Sequence, residues 1–330
     1  MTKQLTIRLC APRGFCAGVE RAIEIVVLAI KKYGKPVYVK HEIVHNQYVV
    51  QGLRDKGAIF IEELNEIPPY HRDRPVIFSA HGVPKETYKN AEELELLYLD
   101  ATCPLVSKVH KQALKHYRLG RHVLLIGHAG HPEVIGTMGQ IPEGSVSLIE
   151  TIEDVNNFIP PANKDLGFVS QTTLSVEDTA EILKALKKKF SNIFPPAVES
   201  ICYATTNRQQ IVYQNAAGCD LFLIVGAPNS SNSQRLVEVA IKGGAKQAML
   251  VQTADEIDWN NLSKLNILGL SAGASAPEII VKEIIDCFAK RYKINIDLVQ
   301  NVIETESFLV NKSLRDIQLT PQDMQFVKGA

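Results

Sequence analysis

Short apolar runs alternate along the chain with longer segments whose apolar residues recur every three to four positions. After Cys16, apolar residues fall at Val19, Ala22, Ile23, Val26 and Ile30; after Cys103, at Val106, Val109, Ala113, Leu114 and Tyr117. Both sets follow the 3.6-residue period of a helix. The segment after Cys202 is more polar, and its helix is less sharply marked. A glycine suited to ending a helix follows each cysteine, at Gly34, Gly120 and Gly218, with offsets of 18, 17 and 16 residues.

The rest of the pattern repeats in step. Strand-like runs follow the glycines at 36–40, 122–127 and 220–226. Each leads to a polar loop at 41–47, 128–133 and 227–233. A helix and a second strand come next, at 58–61, 146–149 and 248–251. A third strand and its loop follow at 76–82, 167–173 and 267–275, and a last helix closes the unit. Short extended stretches at 5–9, 96–102 and 196–201 precede the cysteines. Strands alternating with helices predict α/β units with mainly parallel sheets. Any large α/β protein alternates in this way, but the matched cysteine, glycine and loop offsets predict a threefold repeat. The expected division is an N-terminal strand segment at 1–15, repeats at 16–102, 103–201 and 202–291, and a C-terminal extension at 292–330 outside them. No low-complexity linker separates the units, so close packing is expected.

Composition narrows the function classes. The 330 residues carry 36 Lys+Arg against 36 Asp+Glu, which argues against a nucleic-acid or other polyanion binder. The longest apolar run, Ile25–Ile30, is far below the roughly 18 residues of a membrane span. Met1-Thr2-Lys3-Gln4 leads directly into a strand-like run without a secretory apolar region. A cytoplasmic protein is therefore expected, with its six cysteines as reduced thiols or metal ligands.

In open α/β sheets ligands gather at the carboxyl ends of the strands, beside helix N-termini. The first loops place His45, His131 and Asn232 there, 29, 28 and 30 residues after their cysteines. The second loops place His81, Thr172 and Ser275, 65, 69 and 73 residues after them. Three thiolates at three helix starts suit an iron–sulfur cluster with one open iron, or zinc completed by a histidine. The spacing does not choose between them. Cys10, Cys219 and Cys287 read as structural residues of a strand, a turn and a helix.

The loops also suit an anion. Ser275-Ala276-Pro277-Glu278 resembles a capping box, and Ser175-Val176-Glu177-Asp178 a similar helix start. Free amides at such starts favour phosphate. Ser230, Ser231, Asn232, Thr172 and Ser275 add hydrogen-bond donors, and His45, His81 and His131 add donors or positive charge. Glu133, two residues after His131, is either a first-turn glutamate matched to the helix dipole or a proton donor coupled to Thr172. Lys187-Lys188-Lys189 reads as a solvated helix face. Neither a G-x-x-x-x-G-K-[ST] loop nor a G-x-G-x-x-G turn after the first strand is present, which disfavours nucleotide hydrolysis and a dinucleotide cofactor.

Several segments in order resemble one family: APRGFCAGVERAI (11–23), VHNQYVV (44–50), FSAHGV (78–83), DATCPLV (100–106), GHPEVIGTMGQ (130–140), SQTTLS (170–175), CYATTNRQ (202–209), then SSNSQRL and SAGASAPE. They resemble the 4-hydroxy-3-methylbut-2-enyl diphosphate reductases of the non-mevalonate isoprenoid pathway, the IspH/LytB family. The resemblance implies three α/β domains in a pseudo-threefold trefoil around a central cavity. It implies a [4Fe–4S] cluster held by Cys16, Cys103 and Cys202. It implies a substrate diphosphate held by His45, His81, His131, Ser230, Ser231, Asn232 and Ser275, with Thr172 near the substrate hydroxyl and Glu133 as proton donor. An electron donor such as ferredoxin or flavodoxin is implied as partner, and the C-terminal extension carries no part of the resemblance. The competing readings are a non-catalytic sensor of a phosphate ligand with a zinc or iron–sulfur centre, and a structural zinc protein.

Overall fold

The computed structural model describes residues 3–262 and 265–330, so Met1, Thr2, Ser263 and Lys264 lie outside the description. The chain begins with β1 (Gln4–Ala11), α1 (Ala17–Tyr33), β2 (Val37–Lys40), α2 (Gln47–Lys56), β3 (Ala58–Ile61), β4 (Val76–Phe78), α3 (Lys85–Glu93) and β5 (Tyr98–Asp100). It continues with α4 (Pro104–Arg118), β6 (His122–Ile126), α5 (Pro132–Met138), β7 (Val146–Ile149), α6 (Ile152–Asn157), β8 (Leu166–Ser170), α7 (Val176–Lys189) and β9 (Ile193–Phe194). The last part comprises α8 (Tyr203–Ala216), β10 (Leu221–Val225), α9 (Ser231–Lys242), β11 (Ala248–Val251), β12 (Ile267–Ala272), α10 (Glu278–Ala289), β13 (Lys293–Gln300) and α11 (Pro321–Val327).

The strands form three sheets in the orders β3-β2-β4-β5, β7-β6-β8-β9 and β11-β10-β12-β1-β13. Every pairing is parallel. Parallel neighbours need crossover connections, which the helices supply. The first four positions of the three orders match. The fourth strand of each sheet (β5, β9 and β1) is the one that runs on to a cysteine, Cys103, Cys202 and Cys16 respectively.

The helix after each cysteine then packs into the next unit. Val19, Ala22, Ile23 and Val26 of α1 join Val37 and Val39 of β2. Val109 and Ala113 of α4 join Val123, Leu125 and Val169. Ile211, Val212 and Ala216 of α8 join Phe222 and Ile224. Each sheet therefore hands its last strand to the following unit, and β1, seated between β12 and β13, closes the ring.

The extension at 292–330 is not peripheral. β13 adds to the third sheet along the whole of β1, from Gln4 opposite Lys293 to Ala11 opposite Gln300. Val310, Leu314 and Val327 enter the core around α1. This explains the run Ile25–Ile30: Ile25, Val26, Val27 and Leu28 are all buried because α1 meets its sheet on one side and the tail on the other. Burial of each such side chain contributes about 1.5–3 kcal/mol, so the tail stabilises a helix too apolar to face water.

Three further differences from the expected pattern have local causes. Residues 196–201 are irregular, and the short strand before Cys202 lies upstream at Ile193–Phe194; the pair Pro195-Pro196 removes two backbone donors a ladder would need. Pro277, not Ser275, is the N-cap of α10, because the Ser275 hydroxyl turns away to donate to the His45 carbonyl. Lys187 and Lys188 face solvent as expected, but the Lys189 ammonium donates to the carbonyls of Val155, Asn156 and Phe158 at the end of α6. The Ser175 cap is present, accepting from the Asp178 amide at 3.1 Å. Gly34, Gly120 and Gly218 all take positive φ, between 75° and 80°, as helix-ending glycines. Among the described residues no helix is long and apolar enough to cross a membrane.

Candidate active site

Cys16, Cys103 and Cys202 occupy one structural position three times: each is the N-cap of its helix, α1, α4 and α8, with an extended backbone. None spends its side chain on capping. All three sulfurs line one cavity of about 110 Å³ between the sheets. Gly18 makes this approach possible, since a Cβ there would lie 2.7 Å from the Cys103 sulfur. All six cysteines are free.

Burial raises the pKa of each of the three thiols, and for Cys103 and Cys202 the neighbouring sulfurs add to it. Cys103 is pushed up to about 12, first by burial and then by the Cys16 sulfur. Cys202 rises to about 11 for the same two reasons. Cys16 rises through burial, opposed by the Arg208 charge and the amides of Val19 and Gly18. Three buried thiols that repel one another as thiolates, each met by first-turn amides, are a donor set for a soft cation centre. Among the described residues no three His, Cys, Asp or Glu side chains converge on a single ion.

The polar loops at the strand ends close the other side of the cavity. His45 follows β2, His81 follows β4 and His131 follows β6. His45 stacks on His81 with ring centres 4.3 Å apart, and His131 stands edge-on to both, at 5.6 and 5.8 Å. Burial depresses His81 well below the usual imidazole range, and the other two histidines reinforce this. His131 is depressed to about 4, first by burial and then by His45 and His128. The buried Nε2 of His45 has no protein partner.

Ser230 caps α9, accepting from the Ser233 amide at 3.3 Å, and Ser231 donates to the Thr173 carbonyl at 3.2 Å. The Asn232 Oδ1 accepts from the Ala274 amide at 2.9 Å, and Ser275 lies beyond it on the same wall. Imidazoles, hydroxyls and amides converging at one end of a cavity can receive an anion through hydrogen bonds, and the imidazoles can take up protons as they do so.

Glu133 stands between these two groups of side chains. It is 2% exposed, in the first turn of α5, which His131 caps by accepting from the Glu133 amide at 3.1 Å. Its Oε1 accepts from the Thr172 amide at 2.6 Å, and its Oε2 accepts from the Thr172 hydroxyl at 2.8 Å. Burial raises its pKa to about 7, against the lowering effect of the Thr172 hydrogen bonds. A first-turn glutamate that only matched a helix dipole would stay exposed and acidic; this one is a buried acid poised near neutrality.

All twelve residues singled out from the sequence line this one cavity. Sequence reasoning missed others that line it or brace it. Thr205 bridges the Cys202 sulfur at 3.2 Å and the Asn232 amide at 3.4 Å; its place in CYATTNRQ is the signal that could have marked it. Arg208, in the same segment, is completely buried and paired with Glu304 at 2.9 Å. Arg13, in APRGFC, binds Glu278 of SAPE through Nε at 3.0 Å. Phe308 lines the cavity from the tail, where no sequence signal pointed to it.

Comparison with known proteins gives one consistent answer. The family model described as LytB protein matches residues 7–289. The 4-hydroxy-3-methylbut-2-enyl diphosphate reductase of Rhizobium meliloti (strain 1021) is 66% identical over 325 residues, covering 98% of this chain and 93% of its own. The protein of the same name from Chelativorans sp. (strain BNC1) is 67% identical over 327 residues, covering 99% and 98%. Among solved structures, the E-1-hydroxy-2-methyl-but-2-enyl-4-diphosphate reductase of Plasmodium falciparum superposes with a TM-score of 0.90 at 37% identity, covering 94% of this chain and 97% of that one. A structure of (E)-4-hydroxy-3-methyl-but-2-enyl diphosphate reductase, described as the terminal enzyme of the non-mevalonate pathway, gives 0.62 at 30% identity, covering 87% and 99%.

Proposed function

The chain belongs to the LytB protein family, and from that premise we infer that it is an iron–sulfur oxidoreductase acting on (E)-4-hydroxy-3-methylbut-2-enyl diphosphate. The reaction is a reductive dehydroxylation: two electrons and two protons convert substrate to isopentenyl or dimethylallyl diphosphate, and the hydroxyl leaves as water. It is the last step of the non-mevalonate isoprenoid pathway. The observation that carries the reading is the shared cavity, which joins three thiols at helix N-cap positions, a buried acid and a polar anion pocket.

Cys16, Cys103 and Cys202 are the residues that would hold a [4Fe–4S] cluster, one thiolate to each of three irons. The spread of the thiols around the cavity suits this better than a mononuclear zinc site. When bound, the cluster supplies electrons and, at the iron without a protein ligand, a Lewis acid for the substrate hydroxyl. His45, His81, His131, Ser230, Ser231, Asn232 and Ser275 hold the diphosphate, and the binding energy of this non-reacting end positions the allylic alcohol. Thr172 orients that hydroxyl. Glu133, protonated at or below about neutral pH, gives its proton to the Thr172 oxygen, while the Thr172 hydroxyl, which points to the carboxylate in the free site, turns to give its own proton to the leaving oxygen. The buried walls exclude water from the reacting carbon. The reading carries with it the division of the chain at 16–102, 103–201 and 202–291, with one cluster-binding cysteine to each repeat. A ferredoxin or flavodoxin delivers the electrons, in the cytoplasm, where thiols stay reduced.

The test is anaerobic: reduce the purified protein with a viologen dye and add the substrate. Dye oxidation with formation of the two isoprenoid diphosphates is expected. No oxidation by protein that carries four irons and labile sulfide would overturn the substrate assignment.

A further inference from the structure

Two of the arginines in the cysteine-bearing segments, neither with a place in this reaction, lead to the C-terminal tail. Arg208 is 0% exposed. Its Nη1 donates to the Ala204 carbonyl, two residues after Cys202, at 2.9 Å. Its Nη2 donates to the Gly14 carbonyl, two residues before Cys16, at 2.8 Å. The same guanidinium meets both carboxylate oxygens of Glu304 in the tail, at 2.9 and 3.2 Å, and Asn207 donates to that carboxylate at 3.1 Å.

Arg21 makes the corresponding connection for the third cysteine. Its Nη1 donates to the carbonyls of Ala101 and Thr102, directly before Cys103, at 3.3 and 3.2 Å. Its Nε donates to the Leu309 carbonyl at 2.8 Å, and its Nη2 to Asn311 Oδ1 at 3.3 Å. Between these two anchor points the tail puts Phe308 into the cavity wall.

We propose that residues 304–311 form a buckle that holds the three cysteine loops at the spacing of the iron–sulfur centre, with Arg208, Arg21 and Glu304 as its positioning residues. The three cysteines sit in loops of three different sheets, and hydrogen bonds between those loops are what set their separation. Arg208 ties the Cys16 loop to the Cys202 helix, and Arg21 ties α1, the helix that Cys16 caps, to the Cys103 loop. The tail fixes both guanidinium groups. A bidentate arginine–carboxylate pair holds orientation as well as charge, and a buried pair that loses one partner strands the other charge. The family model ends at residue 289, so the buckle lies outside the segment it describes.

The proposal rests on the iron–sulfur reading, and the experiment separates the two. Wild type, Glu304→Gln and Glu304→Asp are reconstituted anaerobically with iron and sulfide. Iron and labile sulfide are counted, and loss of the visible cluster absorbance is followed in chelator. The reduced electron paramagnetic resonance spectrum is recorded for each. In the apo-proteins, the alkylation rates of Cys16, Cys103 and Cys202 are measured by mass spectrometry, with folding checked by far-ultraviolet circular dichroism. For Glu304→Gln we expect cluster loss about tenfold faster or more, as befits a broken buried charge pair, with an altered resonance spectrum. Faster alkylation of all three thiols is expected in apo-protein whose fold is unchanged. Glu304→Asp is expected to restore these values in part, which a bulk loss of stability would not do. Wild-type loss rate, spectrum and thiol reactivity in Glu304→Gln would overturn the buckle and leave the iron–sulfur reading standing. A wild-type protein that takes up no iron and sulfide would overturn that reading, and the buckle with it.

Discussion

Glu133 is almost fully buried, and burial is what brings its pKa to about 7. Burial disfavours its charged form, and the Thr172 amide and hydroxyl return only part of that cost. Because its pKa is about 7 in the folded chain and near 4.5 when unfolded, the folded chain binds the extra proton between those values. Its contribution to stability is therefore fully present below about pH 4.5 and is lost as pH rises through about 7, to the extent of about 3 kcal/mol. Glu133→Gln should remove that dependence, so the variant should melt at the same temperature as wild type or higher at alkaline pH. Its turnover should collapse, with iron content and substrate affinity kept. Near-normal turnover would take Glu133 out of the reaction. The histidines carry the opposite sign. His81 and His131 are neutral in the ligand-free cavity, because burial and mutual repulsion depress them. A diphosphate among them favours the imidazolium forms, so binding should take up protons and weaken as pH rises. Calorimetry of the holoenzyme in two buffers of different ionisation heat measures this, and zero proton uptake at neutral pH would rule out imidazolium partners.

At the scale of elements, the site is assembled from helix starts. α1, α4 and α8 present thiols, α5 presents Glu133 in its first turn, and α9 opens with Ser231 and Asn232. Free amides and the positive end of the helix dipole favour thiolate, carboxylate and phosphate alike. Asn232 does more than face the ligand, since its Oδ1 holds the Ala274 amide and so fixes the loop that carries Ser275. Asn232→Ala should therefore raise KM about tenfold or more, the cost of one lost charge-assisted hydrogen bond and a loosened loop, with a smaller effect on kcat. Unchanged affinity would count against this wall as the diphosphate site. The elements legible in the sequence were those whose apolar positions obey one period: the strands at 37–40, 122–126 and 221–225, and α1 and α4. α8 was faint because its buried face carries Thr205, Arg208 and Gln209, satisfied by specific partners rather than by apolar contact. The capping role that the sequence allows Ser275 is not realised, because its hydroxyl donates to a carbonyl 230 residues away, a contact no local pattern shows.

In the whole molecule, position in the chain and position in the ring diverge. The opening strand serves the third sheet, and the tail returns to the first unit after pairing with that strand. A reading by repeat offsets finds the threefold pattern but not this closure, because β13 and the tail have no counterpart in the other two units. The ring also bears on how substrate arrives. The inner cavity is about 110 Å³, below the range of about 300–1,000 Å³ usual for small-molecule pockets. An outer pocket of about 380 Å³ shares His45, His131 and Ser231 with it and is bordered by the loops at 128–132 and 229–231. These loops belong to different sheets, so a small rotation of one unit against another would join the two spaces without breaking a ladder hydrogen bond. The reverse rotation, once substrate is in place, completes the site and expels water. Hydrogen–deuterium exchange on the holoenzyme should therefore show amides at 128–131 and 229–232 slowed by saturating inorganic diphosphate, while strands β6 and β10 stay equally protected. No change in those loop amides, although calorimetry shows diphosphate bound, would mean that the ring is already closed and that substrate reaches the cavity by another face.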